Sequence, residues 1–184
     1  AQDASSNGMA MCLAISKAIG TTKMGVLDST FEEEVVIDLF EEHQPSLYGL
    51  RAMYTALVEA GCSPEAVMLD LYASGEGVKF AEYGRDLGAF ERMKRTSVTA
   101  QYGHLVWSKQ YFDEEKTLNG MREMLANIKD GSFIAALKAE KAKNAKDIDQ
   151  TWKENNDHEL VKKEHELYQL LGRRPKDAPA PGDD

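Results

Sequence analysis

The sequence predicts a mainly α-helical domain, and three observations support this fold class. Apolar residues recur three and four positions apart along most of the 184 residues, a spacing that puts them on one side of a helix. Serine, threonine or aspartate precedes several of these segments and glycine follows several of them, as is typical of helix ends. Only 23–27 is suited to a strand, and a lone short strand cannot bury its own surface.

The composition is that of a folded protein with an acidic surface. Apolar residues make up 42% of the chain, charged residues 29%, and the net charge is −9. Nucleic acids and anionic membranes need a basic surface, so we expect neither as a partner. No apolar run reaches the roughly 20 residues of a membrane span, and no signal peptide is visible. Cys12 and Cys62 lie in apolar helical patterns, so we expect buried, reduced thiols and a cytoplasmic protein.

The first predicted element is a helix over residues 9–19. Several capping residues precede it between Asp3 and Asn7, and Gly20 ends it. The candidate strand at 23–27 would need partner strands that precede residue 1. We therefore expect the chain to begin inside a larger domain.

Further helices follow in the order that their end signals predict. Ser29-Thr-Phe-Glu32 has the pattern of a capping box, and Pro45 interrupts the helix that follows it. Gly61 stands just beyond the end of the next helix, and Ser63-Pro-Glu65 supplies the start of another. The predicted helices after the first span 29–42, 46–60, 63–72, 113–129, 133–146, 149–155 and 157–171.

The remaining segments are predicted to be irregular. Residues 96–103 have the composition of a loop. Three of the five prolines follow Arg173, so 173–184 is predicted to be a disordered tail. His158 and His165 are seven residues apart on a charged helix and are expected at the surface. None of the four histidines has the spacing of metal ligands, and no phosphate loop, dinucleotide motif or nucleophile elbow occurs.

Three carboxylates form the first candidate site. Glu34, Asp38 and Glu42 are spaced at i, i+4 and i+8, so they share one face of the capped helix with neighbours about 5–6 Å apart. Carboxylate oxygens are the ligands that Mg²⁺ prefers, so the face could hold a cation. From the pattern alone, a solvated acidic face is the simpler interpretation.

A second acidic pair comes later in the chain. Asp70 stands among apolar residues, and Glu76 follows after Gly75. Acids on two separate helices are what a two-metal carboxylate site requires. Because the sequence does not show whether the pairs meet, surface acids remain the alternative.

An ordered series of short motifs resembles the ketol-acid reductoisomerases, also called acetohydroxyacid isomeroreductases. Each motif is weak alone, but their order and spacing extend to about residue 171. The motifs are Gln2-Asp-Ala-Ser5, Lys17-Ala-Ile-Gly20, Gly25-Val26, Thr30-Phe31, Asp38-Leu-Phe-x-Glu42, Leu57-Val-Glu-Ala-Gly61, Pro64-Glu65, Ser97-x-Thr-Ala-x-Tyr-Gly103, Met121-Arg-Glu-Met-Leu125 and Gly131-x-Phe133.

The resemblance implies a helical C-terminal domain similar to that of 6-phosphogluconate dehydrogenase, intertwined or knotted. It implies two Mg²⁺ ions, NADPH bound by a separate Rossmann-type domain, and a homodimer whose chains share the active site. The implied reaction converts 2-acetolactate or 2-aceto-2-hydroxybutyrate in branched-chain amino-acid biosynthesis, by alkyl migration and then reduction.

Residue by residue, the resemblance makes Asp38 and Glu42 catalytic metal ligands and makes Ser97 a contact of the substrate carboxylate. The family's second metal-binding helix carries Glu-x-x-x-Glu. Counting forward from Pro64 aligns these acids with Asp70 and Ser74, whereas counting back from Gly103 aligns the second acid with Glu76. We favour Asp70 and Glu76 as metal ligands, with Glu76 also a catalytic and substrate-binding residue, because serine replaces a charged ligand poorly.

The resemblance also divides the chain. Residues 1–28 correspond to the end of a nucleotide-binding domain, 29–172 to the metal-binding catalytic domain, and 173–184 to the tail. We therefore expect a catalytic domain that is inactive without its Rossmann domain. The alternative is a non-catalytic relative that kept the fold for dimerisation or metal binding, since Gln101 and the second acidic pair depart from the family pattern.

Overall fold

The computed structural model describes residues 6–24, 29–43 and 45–179. Within these ranges the chain forms α-helices, short 3₁₀ turns and one π-helical turn, and no strand. The predicted mainly α fold class is confirmed, while intertwining with a second chain stays a prediction. The α-helices are α1 Gly8–Ile19, α2 Phe31–Glu42, α3 Ser46–Glu59, α4 Pro64–Met68, α5 Glu76–Leu87, α6 Val98–Leu105, α7 Glu114–Lys129, α8 Ser132–Ala142, α9 Lys146–Asn156 and α10 Glu159–Leu170.

The chain divides into two compact units. Residues 1–44 and 120–134 form the first, and residues 45–119 and 135–184 form the second. The first unit contains α1, α2 and the larger part of α7, where Ile128 is buried. The predicted boundaries at residues 28 and 172 concern domains rather than these units, and they stay predictions.

The second unit holds the larger core. It consists of side chains from α3, α4, the π-helical turn Leu69–Ala73 and α10. Tyr54 and Met68 are fully buried there, so each contributes about 1.5–3 kcal/mol of apolar burial. The buried members are Tyr54, Val67, Met68, Ala73, Leu160 and Leu167.

Local end signals fixed several helix boundaries as predicted. Gly61 has a φ of 94°, and its N–H donates to the Val58 carbonyl at 2.9 Å while that of Cys62 donates to the Leu57 carbonyl at 3.1 Å. These are the two bonds of a Schellman motif, which ends α3. Asp113 Oδ1 accepts from the Lys116 N–H at 2.9 Å and so caps α7.

Four sequence predictions need correction. Residues 98–105 are helical rather than part of a loop, because Ser97 caps α6. Cys12 and Cys62 are exposed free thiols, since α1 buries no side chain and Cys62 follows the end of α3. His165 is 9% exposed because α10 packs against α3, α4 and α9.

The fourth correction concerns the first two residues of the candidate strand at 23–27. Thr21–Met24 forms a 3₁₀ turn, and residues 25–28 lie outside the described ranges. At the other end of the chain, the start of the predicted tail contacts α10. Gln169 Nε2 donates to the carbonyls of Pro175 and Lys176, at 3.3 and 3.1 Å. Among the described residues, no helix combines the length and the apolar character needed to cross a membrane.

Candidate metal centre

The first candidate ligand pair lies on α2. Thr30 Oγ1 accepts from the Glu33 N–H at 3.0 Å, and Ser29 Oγ donates to the Glu33 carboxylate at 3.0 Å. The helix therefore begins one residue later than the predicted box at Ser29. Asp38 and Glu42 are one turn apart on this helix and both are exposed.

The charge distribution along α2 fits cation binding at its C-terminal half. Glu32 and the next two acids occupy the first turn, where negative charge is stabilised by the helix dipole. Glu42 is in the last turn, where negative charge is unfavourable, and no basic residue balances it there. Neither Asp38 nor Glu42 has an ion-pair partner within the described ranges. A bound divalent cation would offset both effects, so the donor set suits Mg²⁺.

The second candidate pair lies on either side of a helix break. α4 continues into the π-helical turn Leu69–Ala73, which carries Asp70. Gly75 then has a φ of 84°, and Glu76 begins α5. Both carboxylates are exposed. Residues six apart point to different sides of a regular helix, but this rule does not apply to Asp70 and Glu76 because the helix is broken between them.

Ser74, the alternative to Glu76, already has a local role. Its Oγ accepts from the N–H of Glu76 at 3.3 Å, which satisfies one of the free donors at the start of α5. This contact gives Ser74 a capping function that requires no metal. Both residues are exposed and stay candidates, and we favour Glu76 because a carboxylate is a better ligand for Mg²⁺ than a serine hydroxyl.

Ser97 lies at the first turn of α6. Its Oγ accepts from the Ala100 N–H at 3.1 Å, and its side chain is exposed. A capping hydroxyl uses a lone pair, so its own proton is available to another acceptor. Ser97 can therefore donate a hydrogen bond to a carboxylate that approaches the start of α6.

The candidate residues lie in both units. Asp38 and Glu42 belong to the first unit, whereas Asp70, Glu76 and Ser97 belong to the second. Within the described part of the chain, no three acidic, histidine or cysteine side chains converge into a group that could hold a metal ion. The assignment of these residues to one site stays a prediction.

The second unit also contains a cleft of about 880 Å³ that the sequence analysis missed. Its walls come from α3, α9 and α10, with Trp152 64% exposed. Tyr72, a residue of the π-helical turn, also lines the cleft. Burial, followed by a hydrogen bond with the Glu164 carboxylate, raises the pKa of Tyr72. The only signal in the sequence is the helical spacing of its aromatic residues, which is equally typical of a buried core.

Comparison with known proteins shows which family this chain resembles. Residues 31–172 match the family described as "Ketol-acid reductoisomerase, C-terminal domain". A Saccharolobus solfataricus protein named "Putative ketol-acid reductoisomerase 3" is 36% identical over 96% of this chain and 54% of its own length. The Mycobacterium avium ketol-acid reductoisomerase (NADP(+)) is 30% identical over 96% of this chain and 51% of its own length.

A solved structure gives the same result. The NADH-preferring ketol-acid reductoisomerase from an uncultured archean superposes with a TM-score of 0.77 at 26% identity. The superposition covers 92% of this chain and 52% of that chain. The chain thus spans about half the length of the relatives that it matches.

Proposed function

Because this chain belongs to the ketol-acid reductoisomerase family, we propose that it is the metal-binding catalytic part of such an enzyme. The carrying observation is that the family match over residues 31–172 includes Asp38 and Glu42, which are exposed on one face of α2 without an ion-pair partner among the described residues. The same match includes Asp70, Glu76 and Ser97.

The proposed reaction acts on 2-acetolactate or 2-aceto-2-hydroxybutyrate. An alkyl group migrates between adjacent carbons, and hydride from a nicotinamide cofactor then reduces the keto group to give a 2,3-dihydroxy acid. We propose NADPH as the cofactor, bound by a part of the enzyme other than this helical domain, and a cytoplasmic location. Two Mg²⁺ ions, when bound, polarise the reacting oxygens as Lewis acids.

The chain's own residues would hold these partners in place. Asp38 and Glu42 provide one set of carboxylate ligands, and Asp70 and Glu76 provide the other. Ser97 would donate its hydroxyl proton in a hydrogen bond to the substrate carboxylate. Charge-assisted bonds of this kind are shorter and stronger than neutral ones, so Ser97 fixes the orientation of the substrate.

We further propose that two chains form a homodimer and share each site. Among the described residues, twenty-seven large apolar side chains are exposed and seven are buried. The large apolar residues of α1 are all exposed at the surface, including Ile15 and Ile19. So much exposed apolar surface is unusual for a monomer and typical of an interface.

A metal titration combined with an activity assay tests the proposal. The complete protein is assayed for acetolactate-dependent oxidation of NADPH and NADH, with and without Mg²⁺. Mg²⁺ is also titrated by calorimetry into the protein and into Asp38→Asn and Glu42→Gln. Glu32→Gln on the same helix is the control, because it makes the same charge change outside the proposed pair.

The expected result is Mg²⁺-dependent turnover that both substitutions abolish and the control retains. Folded protein with Mg²⁺ binding but no turnover with either nucleotide would support the alternative, a non-catalytic relative. Unchanged Mg²⁺ binding in both variants would rule out Asp38 and Glu42 as ligands.

A further inference from the structure

Arg92 contacts α5, the helix that begins with Glu76, from the turn that leads to α6, the helix that Ser97 caps. Arg92 lies in the 3₁₀ turn Glu91–Arg95, which follows α5. Its guanidinium carbon is 4.1 Å from the centroid of the Phe80 ring, and its Nη1 donates to the Phe80 carbonyl at 3.5 Å. A guanidinium over an aromatic face is attracted by the ring quadrupole.

Gly84 makes room for this contact. A Cβ atom built on Gly84 would lie 2.9 Å from Arg92 Nη1 and 3.3 Å from Arg92 Cδ. Glycine in a helix interior is less favourable than alanine by about 1 kcal/mol. The helix therefore carries a destabilising residue at the one turn against which the guanidinium lies.

The same turn leads directly to Ser97. Met93 is 6% exposed, and its carbonyl accepts from both the N–H and the hydroxyl of Thr96, at 3.0 and 2.7 Å. Gln101 Nε2 donates to the Thr96 carbonyl at 3.0 Å. The turn packs against both α5 and α6. The start of α6 is thus attached to α5 through Arg92.

The stability of the fold does not by itself explain why an arginine occupies position 92. Its Nε is buried and makes no hydrogen bond among the residues that the structure describes. A buried donor without a partner costs about 1–3 kcal/mol, so an apolar side chain of similar reach would cover Phe80 more favourably. A planar guanidinium differs from such a side chain in fixing one orientation over the ring.

We propose that Arg92 is a positioning residue that fixes the Ser97 hydroxyl relative to α5, the helix that begins with Glu76. This inference rests on the proposed roles of Ser97 and Glu76 in substrate binding. Arg92 itself touches neither substrate nor metal. It acts by holding the two helix starts in one rigid arrangement.

The test weakens the contact between Arg92 and α5 by a substitution in each partner. Arg92→Lys keeps the charge but loses the planar group, and Gly84→Ala pushes the guanidinium away while favouring the α5 helix. In the complete protein, each should raise KM for 2-acetolactate about tenfold, the order expected when a hydrogen bond to a charged group is weakened. The Mg²⁺ concentration that gives half-maximal activity should not change. Gly120→Ala, where an added Cβ meets nothing within 4 Å, is the control.

Two further readouts separate positioning from general destabilisation. Gly84→Ala should raise KM without lowering Tm. Combining Arg92→Lys with Ser97→Ala should raise KM no more than Ser97→Ala alone, because residues that act through one contact are not additive. Additive effects, or a KM change that follows Tm in every variant, would overturn the proposal.

Amide hydrogen exchange tests the contact without any activity. The Ala100 N–H is held by Ser97 Oγ, so both variants should accelerate its exchange about tenfold while leaving amides of α7 unchanged. Unchanged exchange at Ala100 would overturn the inference. If the unsubstituted protein shows no turnover, the proposed function fails, and the exchange result still decides whether Arg92 positions Ser97.

Discussion

Asp70 and Glu76 are separated by a π-helical turn and a left-handed glycine rather than by a continuous α-helix. Gly75 has a φ of 84°. It lies where the chain leaves the π-helical turn and changes direction before α5 begins. π-Helical turns inside helical segments are frequent at functional sites. The geometry therefore makes Gly75 a requirement for the second candidate ligand pair.

Gly75→Ala should lower the free energy of unfolding by about 1–2 kcal/mol, because a side chain in the left-handed region strains the backbone. It should also weaken Mg²⁺ binding, since Asp70 and Glu76 would be reoriented. Urea denaturation and calorimetry measure the two effects. Gly77→Ala is the control, because Gly77 lies inside α5, has no positive φ and has open space around it. Equal Mg²⁺ affinity in both variants would argue against this ligand pair.

Substitutions at residues 74 and 76 should separate the two candidates for the second ligand. Ser74→Ala removes the cap of the Glu76 N–H and should cost about 0.5–2 kcal/mol of stability, with little change in Mg²⁺ affinity. Glu76→Gln should leave stability within about 0.5 kcal/mol, as expected for an exposed side chain, and reduce Mg²⁺ affinity. The opposite pattern would identify Ser74 as the ligand.

The sequence was sufficient at several positions where a local signal controls the backbone. Gly61 and Asp113 marked helix ends because a left-handed glycine and a capping carboxylate act within a few residues. Segment 98–105 was missed because Val98, Thr99 and Gly103 lower helix propensity. The Ser97 cap and packing against the preceding turn outweigh that propensity.

The candidate site was predicted less completely than the fold. Asp38 and Glu42 could be assigned to one face because i, i+4 spacing has one meaning on a helix. The relation of Asp70 to Glu76 depends on a π-helical turn, which widens the helix by a hydrogen-bond shift that no residue type marks. Arg92 was not found at all, since its contact with Gly84 joins residues eight apart across a change of element.

Tyr54 offers a test of the core of the second unit. Its side chain is 1% exposed, and its Oη is buried without a hydrogen-bond partner in the described ranges. Tyr54→Phe should therefore be neutral or stabilise the fold by up to about 1 kcal/mol. Tyr54→Ala should destabilise it by about 3–5 kcal/mol through loss of packing. Urea denaturation distinguishes these cases, and a loss above about 1 kcal/mol in the Phe variant would mean that the hydroxyl has a partner.

The two tryptophans report on the proposed homodimer. Trp107 is 53% exposed and Trp152 is 64% exposed, so an isolated chain should show the red-shifted emission of solvated indole. Association should shift the emission to the blue as protein concentration rises, since large aromatic residues are enriched in interfaces. Analytical ultracentrifugation over the same concentrations provides the independent measure. A monomer at all concentrations would contradict the shared site.

Tyr72 should make the second unit sensitive to alkaline pH. Burial and the Glu164 carboxylate raise the pKa of Tyr72 above its usual value of about 10. The native state thus favours the neutral phenol, and this contribution to stability is complete below about pH 10 and is lost as pH rises through the higher native pKa. Phenolate absorbance and circular dichroism, followed together, should show Tyr72 ionising late and the helices melting with it. Glu164→Gln should bring that ionisation to lower pH, and Tyr72→Phe should remove it. Ionisation of Tyr72 at the usual pH in the folded protein would show that the phenol is not enclosed.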